Sequence, residues 1–225
     1  MTGVALAEEL LLLAYDDESG KATGSRIGLD LAMAAGVLVD LALAGRVAYA
    51  DGSIVVSDPS PTGYPITDEV LGRMAADTPH TPASWVQRLR HGLRDRILAD
   101  LVARGVVRDV DETALGHIHV HRYPVVDPTL EAEIRDRLAV ALTGDQVPDE
   151  RTAALAALVG ASRMEPSLGL SGPALADAHR RLAEIAGGAG FTGEVSLEES
   201  TIRPSVALVI AALAKAITAA LGAPR

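Results

Sequence analysis

The sequence contains no cysteine and few aromatic residues. The absence of cysteine excludes disulfides and thiolate metal sites and is compatible with a reducing compartment. One Trp, one Phe and four Tyr among 225 residues leave leucine, alanine and valine to fill the core, which favours close-packed helices over a β-sandwich. No interior linker is long enough to tether two domains, so we predict a single domain over residues 1–225.

Lysine is almost missing as well. Lys21 and Lys215 are the only lysines among twenty basic residues, and thirty acidic residues bring the net charge to −10. Nonspecific binding of nucleic acid depends largely on neutralising phosphates, so this balance argues against a nucleic-acid partner and against a winged-helix DNA-binding domain. Local basic patches matter more than the total for a ligand such as a lipid headgroup.

Targeting and catalytic motifs are also lacking. Glu8 and Glu9 interrupt the apolar run of a would-be signal peptide. Residues 205–221 are shorter than the ~20 of a membrane-spanning helix and include Lys215, and their helical spacing predicts a packed core helix. The glycines at positions 188, 190 and 193 match the spacing of a dinucleotide-binding fingerprint, but they follow a predicted helix and not a strand, so we reject such a site. We expect a soluble cytoplasmic protein that is not an enzyme and needs no cofactor.

A helix-to-strand module occurs twice along the chain. The first copy reads LVDL from residue 38, reaches Gly45 and continues as RVAY; the second reads LADL from residue 98, reaches Gly105 and continues as VVR. Each copy predicts an amphipathic helix that ends at a glycine and leads into a strand. Such a module occurs in lipid-binding domains, winged helices and scaffolds, so it predicts architecture rather than activity.

The remaining turn and helix-cap signals predict a mainly α domain with two β-hairpins. Asp51-Gly52 is a tight-turn signal inside a hairpin over 46–57, and a second hairpin is predicted over 106–126. Helices are predicted over 5–14, 27–44, 67–76 with a cap at Thr67, 82–104 with a bend at Gly92, 127–142, 149–164, 174–186 and the final segment.

Several short blocks together resemble the Golgi phosphoprotein 3 family, and they extend over nearly the whole chain. In chain order they are AEELLLL (7–13) with DESG (17–20), LVDLALAGR (38–46), PTG (61–63) with DE (68–69), SWV (84–86), and RDR (94–96) with GV (105–106). The resemblance implies a helical bundle surrounded by further helices, with a protruding hairpin.

The resemblance also implies a function. Eukaryotic members are non-enzymatic peripheral membrane proteins that bind phosphatidylinositol 4-phosphate and hold the cytoplasmic tails of glycosyltransferases. Of the family's pocket residues, the tryptophan position is Ser25, the first arginine position is Ala34, and the paired arginines fall on His91 and Arg94. Arg26 lies beside the tryptophan position and could substitute for it in part.

A basic segment supplies the strongest candidate site read from the residues themselves. Arg88, Arg90, His91, Arg94 and Arg96 lie close together, and Arg90 and Arg94 flank the apolar stripe of the predicted helix. Arginines at such an edge could present forked donors to a phosphate. The alternative is that they pack their stems on the core and pair with carboxylates such as Asp95 and Asp100.

Three histidines alternate along the second hairpin. His117, His119 and His121 are expected to share one face of a strand, a spacing that can hold Zn²⁺ or another divalent ion. The other interpretations are a solvated face, which we take as the default, or a charge switch below pH ~6.5 that favours anionic lipid. The family's hairpin tip is apolar and enters the membrane, whereas residues 108–122 here are polar.

The leading hypothesis is a cytoplasmic, peripheral membrane-associated adaptor that binds an anionic phospholipid such as a phosphoinositide. Arg94 would clamp the phosphate, His91, Arg90 and Arg26 would assist, and the histidine-rich hairpin would touch the bilayer. Cytoplasmic tails of membrane proteins would be further partners. The rival hypothesis is a protein-interaction scaffold that binds no lipid.

Overall fold

The computed structural model describes residues 4–15, 24–114, 118–143, 148–169, 172–186 and 202–222. Over these residues the protein is mainly α with two small antiparallel sheets, which confirms the predicted fold class. The helices are α1 Leu6–Ala14, α2 Arg26–Leu43, α3 Pro65–Ala75, α4 Pro82–Leu89, α5 Leu93–Ala103, α6 Pro128–Thr143, α7 Glu150–Ser162, α8 Gly172–Ala186 and α9 Pro204–Leu221; the strands are β1 Val47–Ala50, β2 Ser53–Val56, β3 Val110–Ala114 and β4 Ile118–Arg122.

Helix α2 lies at the centre of the bundle. It contacts α1, α3, α4, α5, α7 and α9, and most of its residues are buried. A helix that is apolar on nearly all sides has to be surrounded, because burial of apolar surface is the main driving force for packing. Gly36 permits α1 to approach closely, since a Cβ there would lie 3.0 Å from the backbone nitrogen of Ala7.

Helix α9 closes the bundle against α2, α4 and α7. In the part of the chain that the structure describes, it is also the one helix whose length and apolar composition would suit a membrane span. Its apolar stripe is buried at Val206, Val209, Ile210, Leu213 and Ile217. This packing agrees with the prediction of a core helix.

The first hairpin forms as its turn signal predicts. Asp51 and Gly52 both have positive φ, 48° and 79°, the backbone of a two-residue turn that matches the twist of antiparallel strands. The second hairpin pairs β3 with β4, with Val110 opposite Arg122, and the Val126 amide donates to the Val106 carbonyl at its base. Its tip, with His117, lies outside the described residues.

The predicted helix over 82–104 is wrong: two helices replace it. Helix α4 ends at Leu89, and Gly92 adopts φ +70° before α5 begins at Leu93. Only glycine takes this left-handed conformation without steric cost, so the residue breaks the helix rather than bending it. Arg90 and Arg94 therefore lie on different helices.

The predicted start of α3 is also wrong. The helix begins at Pro65, with Tyr64 as its N-cap, and Thr67 is a buried residue of its first turn. Proline favours this first helical position because its φ is already helical and its missing N–H is not needed there.

Buried carboxylates tie α1 and α2 to three surrounding helices. Glu8 accepts from Arg104 of α5 at 2.5 Å, and Glu9 accepts from Arg137 of α6 at 2.7 Å and from Arg151 of α7 at 2.9 Å. Asp40 of α2 accepts from Arg151 at 3.2 Å and from the Leu6 amide at 2.8 Å. Burial, opposed by Arg151, raises the pKa of Asp40 to about 7.

The Asp40 carboxyl makes folding stability depend on pH. Its folded pKa lies above the unfolded value, so the folded state holds a proton that the unfolded state has lost between pH 4 and 7, and stability falls as pH rises through this window. We expect Asp40→Asn to remove this pH dependence. Between pH 5 and 7.5 the free energy of unfolding of the wild-type protein should therefore fall by about 2 kcal/mol relative to that of the variant.

Urea unfolding of both proteins across that range measures the difference. Asp95→Asn, which neutralises an exposed carboxylate, controls for net charge. A wild-type-to-variant difference that stays constant with pH would contradict the assignment to Asp40.

The helix break at Gly92 gives a second prediction. Gly92→Ala places a Cβ in open space but in a left-handed backbone, and we expect the free energy of unfolding to fall by about 1 kcal/mol. Gly72→Ala is the matched control, because Gly72 lies inside α3 with equally open space and alanine should stabilise that helix. Urea unfolding measures both variants. Equal effects of the two substitutions would contradict the prediction, because they would show that alanine has no extra cost in the left-handed conformation of residue 92.

Candidate functional site

Arg94 is paired with a carboxylate at the start of the central helix. Its Nε donates to Asp30 Oδ1 at 3.0 Å, and its Nη2 donates to the same oxygen and to the Arg26 carbonyl at 3.4 Å. The Arg94 side chain is 10% exposed and that of Asp30 is 24% exposed. The partner is therefore neither Asp95 nor Asp100, the carboxylates that the sequence suggested, but a residue of α2.

Tyr15, at the end of α1, lies beside this pair. Burial raises the pKa of the Tyr15 hydroxyl, and the positive charges of Arg94 and Arg26 oppose that rise. Both positive charges are therefore close enough to act on the pKa of the Tyr15 hydroxyl, and Arg94 also forms a hydrogen bond with it. Arg94 of α5 thus contacts the backbone of Arg26 in α2, and the charges of both act on the same hydroxyl.

The second hairpin joins the same region through its base. The rings of Tyr15 and Tyr123 meet edge to face with centroids 6.0 Å apart, and Tyr123 stacks on His121 at 6.4 Å. His121 Nδ1 lies 2.8 Å from Asp109 Oδ1, and this hydrogen bond raises the pKa of the His121 imidazole. The aromatic contacts therefore connect the arginines to the hairpin.

Exposed side chains border the pair on the solvent side. Arg26 is exposed, and among the described residues its guanidinium has no acidic partner. Ile27, the next residue, is 57% exposed. Arg26 and Ile27 also begin α2, where the free amides of a helix N-terminus favour an anion. A cation and an apolar side chain thus stand together on one surface.

The remaining basic residues do not join this cluster through any contact in the described parts of the chain. Arg88 pairs with Asp77 at 3.0 Å, and Arg96 pairs with Glu69. His91 is exposed, and Arg90 is half-buried with its Nε buried and unbonded. The structure therefore brings together Arg94 and Arg26 of the four predicted headgroup residues, while Arg90 and His91 lie on the other side of the Gly92 break.

The histidine row is only partly described. His119 and His121 both belong to β4, with His119 opposite Thr113 and His121 opposite Asp111. Within the ranges that the structure describes, no three His, Asp or Glu side chains converge as metal ligands. His121 is instead hydrogen-bonded to Asp109, so the described part of the row gives no support to the alternative of a metal site.

Two family pocket positions have structural roles here. The Ser25 hydroxyl caps α2 by accepting from the Gly28 amide at 3.1 Å, and Ala34 is completely buried inside the bundle.

Sequence reasoning missed three residues of the site. Asp30, Tyr15 and Tyr123 are distant in sequence from the basic segment, and packing alone brings them to it. A signal existed for Asp30, since an aspartate in the otherwise apolar start of α2 calls for a cationic partner. Nothing in the local sequence singled out either tyrosine.

The hairpin contact gives a prediction about His121. Asp109→Asn removes the charged partner, so the pKa of His121 should fall toward the ordinary value near 6.5 because the imidazolium loses its stabilising hydrogen bond. An NMR titration of the imidazole resonances measures the shift. Asp111→Asn is the comparison on the same hairpin: the Asp111 charge also raises the His121 pKa, to a smaller extent than Asp109, so this variant should lower it less. A His121 pKa unmoved by Asp109→Asn would mean that the contact does not persist in solution.

Comparison with known proteins agrees with this architecture. The chain is 27% identical over 164 residues to vacuolar protein sorting-associated protein 74 of Eremothecium gossypii, an alignment that covers 62% of this chain and 49% of that relative. The family model described as Golgi phosphoprotein 3 (GPP34) matches residues 6–220. The match includes every helix except the last residue of α9, and the chain therefore belongs to the Golgi phosphoprotein 3 family.

Proposed function

We propose that this protein is a peripheral membrane-associated adaptor that binds an anionic phospholipid headgroup at Arg26 and Arg94. The single observation that carries the proposal is the contact of Arg94 Nη2 with the Arg26 carbonyl, beside a tyrosine on which the charges of both arginines act. Two arginines at one place can hold a phosphate through forked, charge-assisted hydrogen bonds. By family resemblance the headgroup is phosphatidylinositol 4-phosphate.

The surroundings of the two arginines support a membrane as the source of the headgroup. Ile27 is exposed next to Arg26 and could enter the interfacial region of a bilayer. The base of the second hairpin adjoins the site through Tyr123 and His121, so a bilayer contacting the hairpin would lie near the arginines. Cytoplasmic tails of membrane proteins are the proposed protein partners of such an adaptor.

The Arg94–Asp30 pair favours the rival hypothesis of a scaffold that binds no lipid. In that case the internal carboxylate satisfies Arg94 permanently, and Arg26 is an ordinary surface charge. The two functions differ in whether phosphoinositide attracts the protein more than other lipids do.

Vesicle sedimentation tests the proposal. We expect binding to follow the order phosphatidylinositol 4-phosphate, phosphatidylinositol, phosphatidylcholine, and to weaken as salt rises from about 0.1 M to about 0.5 M because salt screens exposed charges. Arg26→Ala and Arg94→Ala should each weaken binding to phosphoinositide vesicles about fivefold, since one cation near an anionic surface contributes about 1 kcal/mol.

Arg96→Ala is the matched control for Arg94→Ala. It removes the same charge two residues along α5, but its guanidinium pairs with Glu69. Equal partitioning of the wild-type protein to all three vesicles would reject lipid recognition and leave the scaffold. Equal losses in the Arg94 and Arg96 variants would reject the assigned site.

A further inference from the structure

Asp30 occupies the part of Arg94 that a phosphate would need. Both the Nε and one terminal nitrogen of Arg94 donate to Asp30 Oδ1, and that terminal nitrogen also donates to the Arg26 carbonyl. These two nitrogens form the edge of the guanidinium that binds carboxylate and phosphate in a forked geometry. A headgroup phosphate that uses this edge has to displace the Asp30 carboxylate.

A phosphate can replace the Asp30 carboxylate at Arg94 because the Asp30 side chain is partly exposed to solvent. It is 24% exposed, whereas its partner Arg94 is 10% exposed. The released carboxylate can therefore be hydrated at the surface, while Arg94 remains in place to receive the incoming anion. Leaving Arg94 without any partner would be costly, since a desolvated charge needs compensation.

The Asp30 carboxylate, which the ligand has to replace, carries one negative charge. A ligand that gains by replacing it therefore needs more than one negative charge. A phosphomonoester carries about −1.5 to −2 charges at pH 7 and offers three acceptor oxygens. Together the guanidinium groups of Arg94 and Arg26 supply two positive charges that match it. A phosphodiester carries one negative charge, as Asp30 does, and gains little by replacing it.

We propose that Asp30 is a specificity-determining residue, an internal competitor that makes the Arg26–Arg94 site select phosphomonoester over phosphodiester groups. This inference rests on the proposed function of the same two arginines. Asp30 itself binds no ligand; it acts by holding Arg94 until a more highly charged anion replaces it.

The decisive variant is Asp30→Asn, which removes the charge and keeps the size of the side chain. Vesicles with phosphatidylinositol 4-phosphate present a phosphomonoester, and vesicles with phosphatidylglycerol, adjusted to equal total charge, present only phosphodiesters. We expect Asp30→Asn to strengthen binding to phosphatidylglycerol vesicles about fivefold, the scale of one ion pair near a protein surface. The preference for the phosphomonoester should fall accordingly.

Asp95→Asn is the matched control. Asp95 is an exposed carboxylate of α5 that acts on Tyr15 from nearby but contacts neither nitrogen of the Arg94 edge. The same change in net charge at this position should strengthen binding to both vesicle types alike. The double variant Asp30→Asn with Arg94→Gln should lose the gain, because the gain passes through Arg94.

A solution arm separates lipid from a soluble source of the same group. Inorganic phosphate is titrated by calorimetry into the wild-type protein and Asp30→Asn. Binding of free phosphate that responds to Asp30 supports a soluble phosphomonoester as the ligand, whereas a response confined to vesicles supports a lipid headgroup.

Three outcomes would overturn the inference. In the first, Asp30→Asn weakens binding to both vesicle types, which makes Asp30 a positioning residue for Arg94. In the second, Asp30→Asn behaves as Asp95→Asn does while Arg26→Ala and Arg94→Ala still lose binding, so that the proposed function survives alone. In the third, no anionic vesicle binds the wild-type protein, and the proposed function fails too. Circular dichroism checks folding, and Asp30→Ser replaces the asparagine variant if that variant is unfolded.

Discussion

The bundle depends on the need to compensate charge that is buried in its centre. Glu8, Glu9 and Asp40 lie on the two innermost helices, and each is less than a tenth exposed. Because a buried carboxylate without a partner is costly, arginines from α5, α6 and α7 have to reach inward to them. The Glu8–Arg104 pair joins α1 to the end of α5, and the Arg94–Asp30 pair joins α5 to the start of α2.

Local patterns predict this fold well at positions where the residue type favours a single backbone conformation. Asp51-Gly52 between apolar strands leads to a hairpin, and the glycine after α2 ends it. Gly92 was harder to interpret because a glycine in an amphipathic run costs a helix only about 1 kcal/mol and is often accommodated. Its left-handed backbone, which decides the matter, depends on how α4 and α5 pack against α2.

The candidate site could be predicted only in part. Arg94 was recognisable as an arginine at the edge of an apolar stripe, and Arg26 as a neighbour of a family pocket position. Asp30 lies 64 residues before Arg94, and no periodicity connects two such positions. Sequence reasoning therefore expected the wrong carboxylates as partners of Arg94, since the partner is chosen by helix packing.

The internal neutralisation of Arg94 also bears on the kinetics of encounter. A protein of net charge −10 is repelled by a negative bilayer once it comes within about one Debye length, roughly 8 Å at physiological ionic strength, because charges farther apart are screened. The Arg94–Asp30 pair adds no net attraction at that distance, so electrostatic steering is weak and arrival is slow. Under the proposed function, discrimination among membranes then resides in the dissociation rate, that is, in how long the protein stays after contact.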